Sequence, residues 1–288
     1  MIKTIGVLGS GVMGGGIAQM FAEKGFDVLL WDVEARIAED GFGKIKKRLM
    51  KSAEKGKIDI ATAEAVCGRI KPLGTLEEIS GAELVIEAVL EDIKVKSDLY
   101  RKLEELISSE CIVGTNTSSL SVQALSGSWR KPERFLGIHF FNPPTKLELV
   151  EMILTDKTAE ETTAKVKEVL GKCDKTAVNV KDSPGFIVNR LLLPMINEAA
   201  KLLDSGAADV SAIDTAMRLG ALHPVGPLEL ADLIGLDVCK KILESMADSM
   251  KDTFYKPAKA INERVASGRL GRKSGAGFYD YDNAKGNQ

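Results

Sequence analysis

A histidine and a glutamate carry the first chemical signal in this chain. His139 stands in Gly137-Ile-His-Phe-Phe-Asn-Pro143, at the C-terminal end of an apolar strand. Ligands of open parallel sheets bind at such strand ends. A histidine in an apolar strand can also be a satisfied core residue, but Glu151 favours chemistry. It lies in the next apolar strand, Leu149–Ile153, after a Pro143-Pro144 turn able to fold the two strands together. Buried carboxylates are rarely left unpaired. A carboxylate on one imidazole nitrogen fixes the tautomer and raises the basicity of the other, which suits it to take a proton from an alcohol near neutral pH. The Thr115–Ser119 segment follows a strand end and is dense in hydroxyl and amide donors. Ser119 or Ser121 suits the cap of the next helix, whereas Ser118 can donate to a substrate oxygen. Asn189 is an amide at an apolar helix start, where a capping or interdomain role stays open beside a substrate one.

A base that deprotonates an alcohol is useful where something else accepts a hydride, and the chain opens on a turn suited to hold such an acceptor. The strand Thr4–Leu8 runs into Gly9-x-Gly11-x-x-Gly14, with Val12 and Met13 inside the motif, and a helix begins there. Gly9 permits the tight turn, Gly11 lets backbone approach a pyrophosphate, and Gly14 lets helix pack on strand. The free N–H groups of the helix face the phosphate charge. The acidic residue expected roughly 20 residues on is Asp32, ending a second apolar run, Val28–Trp31. A carboxylate there accepts from a ribose 2′-hydroxyl and repels a 2′-phosphate, favouring NAD over NADP.

These residues need a frame, and the first half of the chain supplies one. Strand-like and helical stretches alternate from Thr4 through Thr176–Val180, with helices expected over 34–54, 59–69, 93–107 and 159–172. Repeated β-α-β units predict a mainly parallel sheet with helices on both faces. Beyond the turn cluster Asp182–Gly185 the spacing is helical, over 186–205 with a kink expected at Pro194, then 209–219, 226–246 and 257–267. The expected organisation is α/β, with a Rossmann-type domain over 1–182 and an all-helical domain over 183–288. The Lys285–Gln288 tail is expected to fray.

Composition narrows the partners. The chain has 288 residues, 44% hydrophobic and 28% charged, with a net charge of −2. That balance gives no support to nucleic-acid binding. No apolar run approaches the ~20 residues needed to span a bilayer, and the N-terminus already reads as a strand of the fold. Cys67, Cys111, Cys173 and Cys239 are widely scattered, with no metal-ligand spacing, as expected of reduced thiols in a cytoplasmic protein. With only two histidines, no metal is expected.

The chain resembles the L-3-hydroxyacyl-CoA dehydrogenase family along its whole length. The resemblance is carried by the glycine turn, Val85–Val89, Asn116–Leu120, His139–Pro143, Leu149–Glu151, Pro184–Leu191 and Gly271–Tyr279, all in the family's order. It implies an NAD-dependent enzyme interconverting (S)-3-hydroxybutyryl-CoA and acetoacetyl-CoA. His139 would be the acid–base group and Glu151 its orienting partner. Ser118 and Asn189 would bind the substrate's 3-oxygen. On the cofactor side it implies Asp32 at the adenine ribose, Glu91 and Lys96 at the nicotinamide half, Asn142 at the nicotinamide ribose, and Ser118 and Lys273 beside the cofactor. By fold-level analogy the C-terminal domain would close over substrate and form a homodimer.

A CoA ester carries phosphates, and one segment is suited to attract them. Lys44, Lys46, Lys47, Arg48, Lys51, Lys55 and Lys57 stand against the single acid Glu54. Lys44, Arg48, Lys51 and Lys55 share one helix face, with Lys51 and Lys55 as the expected phosphate contacts. A solvated charged face is the plainer alternative. Two rival functions share the motifs: a dehydrogenase of a small non-CoA hydroxy acid, and a non-catalytic dinucleotide-binding protein.

Overall fold

In this computed structural model the described residues are 2–281, and they divide after Ser183 into two compact units. The Lys285–Gln288 tail lies outside them. The first unit runs β1 (Thr4–Leu8), α1 (Val12–Glu23), β2 (Asp27–Trp31), α2 (Ala35–Glu54), α3 (Ile60–Gly68), β3 (Ile70–Pro72), β4 (Leu84–Glu87) and α4 (Ile93–Leu103). It continues with β5 (Ile112–Thr115), α5 (Val122–Ser126), β6 (Phe135–Phe140), β7 (Leu149–Leu154), α6 (Glu160–Lys172) and β8 (Thr176–Lys181). The strands form one sheet in the order β3-β2-β1-β4-β5-β6-β7-β8. The chain starts at β1 and winds outward first to β3, then from β4 to the other edge, so the order reverses between β1 and β4. Right-handed crossovers on either side of such a point place helices on opposite faces. Accordingly α1, α2 and α3 share one core, built on Ile17, Phe21, Ile45 and Leu49 against Ile5, Val7 and Ile86, and α6 joins it through Val166 because β7 and β8 run antiparallel to the other strands.

Every strand pair is parallel except β6 with β7. Only residues 141–148 join those two strands, too few for a parallel crossover. The Pro143-Pro144 turn therefore folds β7 directly back on β6. Lys175, at the head of β8, fastens the turn by donating to the carbonyls of Pro144 and Leu147, both at 2.7 Å.

The second unit contains α7 (Val188–Asp204), α8 (Val210–Gly220), α9 (Pro227–Ile234), α10 (Leu236–Met250) and α11 (Lys259–Ala266), packed around Leu193, Ile196, Leu228, Leu236, Leu243 and Ile261. The single helix expected over 226–246 is two, because Gly235 adopts φ 103° and breaks it. An isolated glycine inside a helical pattern was the available signal. The helix expected from residue 186 starts at Val188, after Phe186 at φ 50°, and continues through Pro194. Asp209 caps α8 by accepting from the Ala212 amide at 2.8 Å. Two buried aspartates tie the C-terminal segment to the helices. Asp232 accepts from the Phe278 and Tyr279 amides, both at 2.9 Å, and from the Tyr281 hydroxyl at 3.0 Å. Asp214 accepts from the Leu228 and Glu229 amides and from the Tyr279 hydroxyl. Among the described residues no helix is long and apolar enough to cross a membrane.

Candidate active site

The C-terminal edge of the first unit's sheet gathers most of the candidates. Leu8 of β1 ends level with Trp31 of β2 and Glu87 of β4, and Glu87 pairs with Thr115 of β5. At this edge Gly9 adopts φ 96°, and a Cβ there would stand 2.5 Å from the Ala88 carbonyl oxygen. Gly14 is constrained by packing, since its Cβ would meet the Gly9 carbonyl oxygen at 1.8 Å. Gly11 differs from both. A Cβ there would meet no atom within 4 Å, and Gly11 caps α1 without a side-chain hydrogen bond. Val12 beside it is 77% exposed, and Met13 packs against the core. The start of α1 is thus open to a pyrophosphate, and the glycines fit a dinucleotide.

At the end of β2 the Asp32 carboxylate is already held. Its Oδ2 accepts from the Ser10 amide and hydroxyl, both at 2.7 Å, and its Oδ1 accepts from the Val33 amide at 2.8 Å. Gly41 of α2 makes room for this arrangement, because a Cβ there would stand 2.5 Å from that of Ser10. Ser10 was not among the residues singled out from sequence. Its place between Gly9 and Gly11 was the signal that could have found it.

His139 and Glu151 are paired residues of β6 and β7, so their side chains share one side of the sheet. Nδ1 of His139 lies 2.8 Å from Oε2 of Glu151, and both residues are buried, at 5% and 1% exposure. An ionised carboxylate can only accept, so Nδ1 carries the proton and Nε2 presents the lone pair. The Phe141 ring packs edge-on against the imidazole, with centroids 4.6 Å apart.

The Thr115–Ser119 segment is fixed from two directions. Asn116 accepts from the Phe140 amide at 2.9 Å, tying the segment to the strand that carries His139. Glu91 gathers the rest: its Oε1 accepts from the Thr117 hydroxyl and from the Ser118 and Ser119 amides at 2.7, 3.0 and 3.1 Å. The Ser118 hydroxyl makes no hydrogen bond among the described residues, and Ser118 is half-buried. Ser121 caps α5 through the Ala124 amide. Burial pulls the Glu91 carboxyl up, but Lys96 and these donors outweigh it and hold the group below its ordinary range.

Lys96 is 1% exposed. Its ammonium lies 2.6 Å from Glu87 and 3.3 Å from Glu91. Glu87 is fully buried and also accepts from the Tyr100 hydroxyl at 2.6 Å and the Thr115 hydroxyl at 2.8 Å. Glu87 and Tyr100 were also missed from sequence. A charged residue within the buried strand Leu84–Val89 was the signal. Asn142 precedes Pro143 through a cis peptide and is exposed.

The basic helix face is only partly available. Lys51 and Lys55 are exposed at the C-terminal end of α2. Arg48 shares their exposed face but is engaged there, because it donates to the Gln19 side chain at 3.0 Å and is partly desolvated, which lowers its pKa. Asn189 and Lys273 stand in the second unit. Asn189 is in the first turn of α7 and buried, and Lys273 pairs with Asp237 at 2.7 Å. All four cysteines are free thiols, and burial pushes those of Cys111, Cys173 and Cys239 up to about 12.

Comparisons with known proteins follow the same division. Residues 4–183 match the family model described as 3-hydroxyacyl-CoA dehydrogenase, NAD binding domain, and residues 185–281 match its C-terminal domain. The chain is 44% identical over 281 residues to a probable 3-hydroxybutyryl-CoA dehydrogenase of Bacillus subtilis, covering 98% of each. It is 42% identical to a 3-hydroxybutyryl-CoA dehydrogenase of Bradyrhizobium diazoefficiens, covering 99% of this chain and 97% of that one. Among solved structures, (S)-3-hydroxybutyryl-CoA dehydrogenase PaaH1 from Ralstonia eutropha superposes with a TM-score of 0.91 at 38% identity, over 98% of this chain and 100% of that one.

Proposed function

From the premise that this chain belongs to the 3-hydroxyacyl-CoA dehydrogenase family, we propose that it interconverts (S)-3-hydroxybutyryl-CoA and acetoacetyl-CoA through a His139–Glu151 dyad. It is an NAD-dependent enzyme of that family. When bound, NAD supplies the hydride acceptor for C3 of the substrate. The chain's own residues handle the proton. Glu151 keeps the Nδ1–H tautomer, so Nε2 of His139 faces the 3-hydroxyl as a base. Once protonated, the imidazolium is stabilised by the carboxylate 2.8 Å away. In the reductive direction the same nitrogen returns the proton to the developing alkoxide. The Ser118 hydroxyl donates to that oxygen, and its charge is offset as it forms. The Asn189 amide of the second unit has the same donor role in this reading. Asn142 and Lys273 contact the cofactor, and Lys51 and Lys55 the CoA phosphates.

The observation that carries the reading is the His139–Glu151 pair, held in strand register beside a segment that offers the Ser118 hydroxyl. One assay tests it against its rivals: NADH oxidation with acetoacetyl-CoA, with free acetoacetate, and with NADPH replacing NADH. Turnover confined to NADH with acetoacetyl-CoA is expected. Preference for free acetoacetate would move the substrate to a small hydroxy acid, and no turnover with either would leave a dinucleotide-binding protein. A cytoplasmic homodimer completes the reading. Leu191, Leu219 and Leu222 of the second unit are 71%, 76% and 86% exposed, and a monomer mass in sedimentation would refute the dimer.

A further inference from the structure

The Glu87–Lys96–Glu91 cluster contains more negative charge than its lysine needs. One carboxylate would suffice to pair Lys96, yet two flank it, at 2.6 and 3.3 Å. The other groups that hydrogen-bond to the cluster among the described residues are formally neutral. The Tyr100 and Thr115 hydroxyls and the Val89 amide donate to Glu87, and the Thr117 and Ser119 hydroxyls donate to Glu91. Two carboxylates against one ammonium leave one net negative charge. Glu87, Lys96 and Tyr100 are each at most 1% exposed, so water screens it poorly. Buried ion pairs are seldom better for stability than apolar packing. Stability alone therefore gives no reason for an uncompensated third charge.

The position of the cluster supplies a reason. A dinucleotide crosses the sheet edge at the point where strand order reverses, here between β1 and β4. With its adenosine end at Asp32 on the β2 side, such a dinucleotide would run its nicotinamide end toward β4, β5 and β6. Glu87 ends β4, Thr115 ends β5 and His139 lies near the end of β6. The nicotinamide ring is cationic when oxidised and neutral when reduced, so a fixed negative charge near it would distinguish the two.

We propose that Glu87 is a positioning residue that holds Lys96 and, together with Glu91, biases the site toward the oxidised cofactor. This rests on the dinucleotide lying as the functional reading places it. The hydrogen bonds set the geometry, and the net charge sets the preference.

The test is direct binding of NAD⁺, NADH and ADP-ribose to the full-length protein by calorimetry, with thermal melting alongside. Glu87→Gln keeps the side-chain shape and removes one charge. It should weaken NAD⁺ relative to NADH by roughly three- to tenfold, the scale of a unit charge acting through a partly screened protein medium. ADP-ribose, which lacks the ring, should bind as before. Glu91→Gln should shift the ratio in the same direction. Its carboxylate is 18% exposed, and this variant carries the test if Glu87→Gln does not fold. Tyr100→Phe removes a hydrogen bond to Glu87 without changing charge, so it should lower the melting temperature and leave the NAD⁺ to NADH ratio alone. An unchanged ratio in the folded carboxamide variants overturns the proposal, as does an equal shift in Tyr100→Phe. Failure of the acetoacetyl-CoA assay in the parent protein would refute the functional reading separately, because these binding ratios do not depend on turnover.

Discussion

In the first unit Glu87 and Glu91 flank an ammonium at the sheet edge, while in the second unit Asp214 and Asp232 take their hydrogen bonds from backbone amides and tyrosine hydroxyls. The residue chemistry is nearly the same, and the consequences differ. Glu91 is held below its ordinary carboxyl range, since Lys96 and the loop donors outweigh its burial. Asp232 is pushed above it, because burial outweighs two amides, a hydroxyl and the more distant pull of the Arg264 guanidinium. A carboxylate beside a cation stays charged and can orient a reacting segment. A carboxylate used as a clamp for backbone is structural, and its charge opposes its burial.

The largest difference should appear in turnover. His139→Gln in the first unit removes the positioned acid–base group, and such losses cost about 10²–10⁴-fold in rate. NADH affinity should be unchanged, measured by fluorescence titration. A variant that kept more than about a tenth of the parent kcat would refute the dyad. Asp232→Asn in the second unit should do the reverse. It leaves a buried amide donor facing donors, so the urea midpoint should fall by the equivalent of about 1–3 kcal/mol, while kcat changes less than tenfold. If Asp232→Asn silenced the enzyme as fully as His139→Gln, the division between chemical and structural acids would collapse.

The pH dependence of stability should separate the same two acids by sign. Glu91 has a folded pKa below its unfolded value. Its contribution is therefore present above the ordinary carboxyl range, near pH 4.5, and is lost as pH falls through the folded value. The melting deficit of Glu91→Gln relative to the parent should then shrink on acidification. Asp232 has a folded pKa above its ordinary 3.8, so the folded state favours its protonated form. Its contribution is lost as pH rises from that ordinary value through the folded one, and the deficit of Asp232→Asn should shrink in that direction. Melting curves between about pH 3.5 and 7 decide the matter, and parallel trends in the two variants would contradict it.

Much of this contrast was legible before the structure, but unevenly. The glycine turn, Asp32 and the alternation that builds the sheet are local signals, and they survive because each constrains backbone within a few residues. The His139–Glu151 pair was also accessible, since a short Pro-Pro connection allows only an antiparallel return. Glu87 was not read as functional. Its meaning depends on Lys96 and Tyr100 one helix away and Thr115 on the neighbouring strand, contacts that spacing alone does not encode. The engagement of Arg48 was hidden for a related reason. Helical periodicity set it on the basic face with Lys51, but Gln19 of α1 engages it. The break at Gly235 had a local cause that an otherwise continuous helical pattern concealed.

Charge left in solvent gives the smallest expected effect and extends the comparison to a third setting. Lys51 and Lys55 are exposed, whereas Lys96 is buried. If they attract the CoA phosphates, Lys51→Glu with Lys55→Glu should raise KM for acetoacetyl-CoA by roughly three- to tenfold at low salt, with kcat unchanged. The Debye length falls from about 10 Å at 0.1 M salt to about 3 Å at 1 M. The KM difference should therefore fade across that range, as it would not for an effect on the buried Lys96 cluster. Arg48→Ala offers the internal contrast. Its guanidinium is tied to Gln19, so it should alter melting temperature more than KM. An unchanged KM in the double lysine variant at low salt would return the stripe to a solvated helix face.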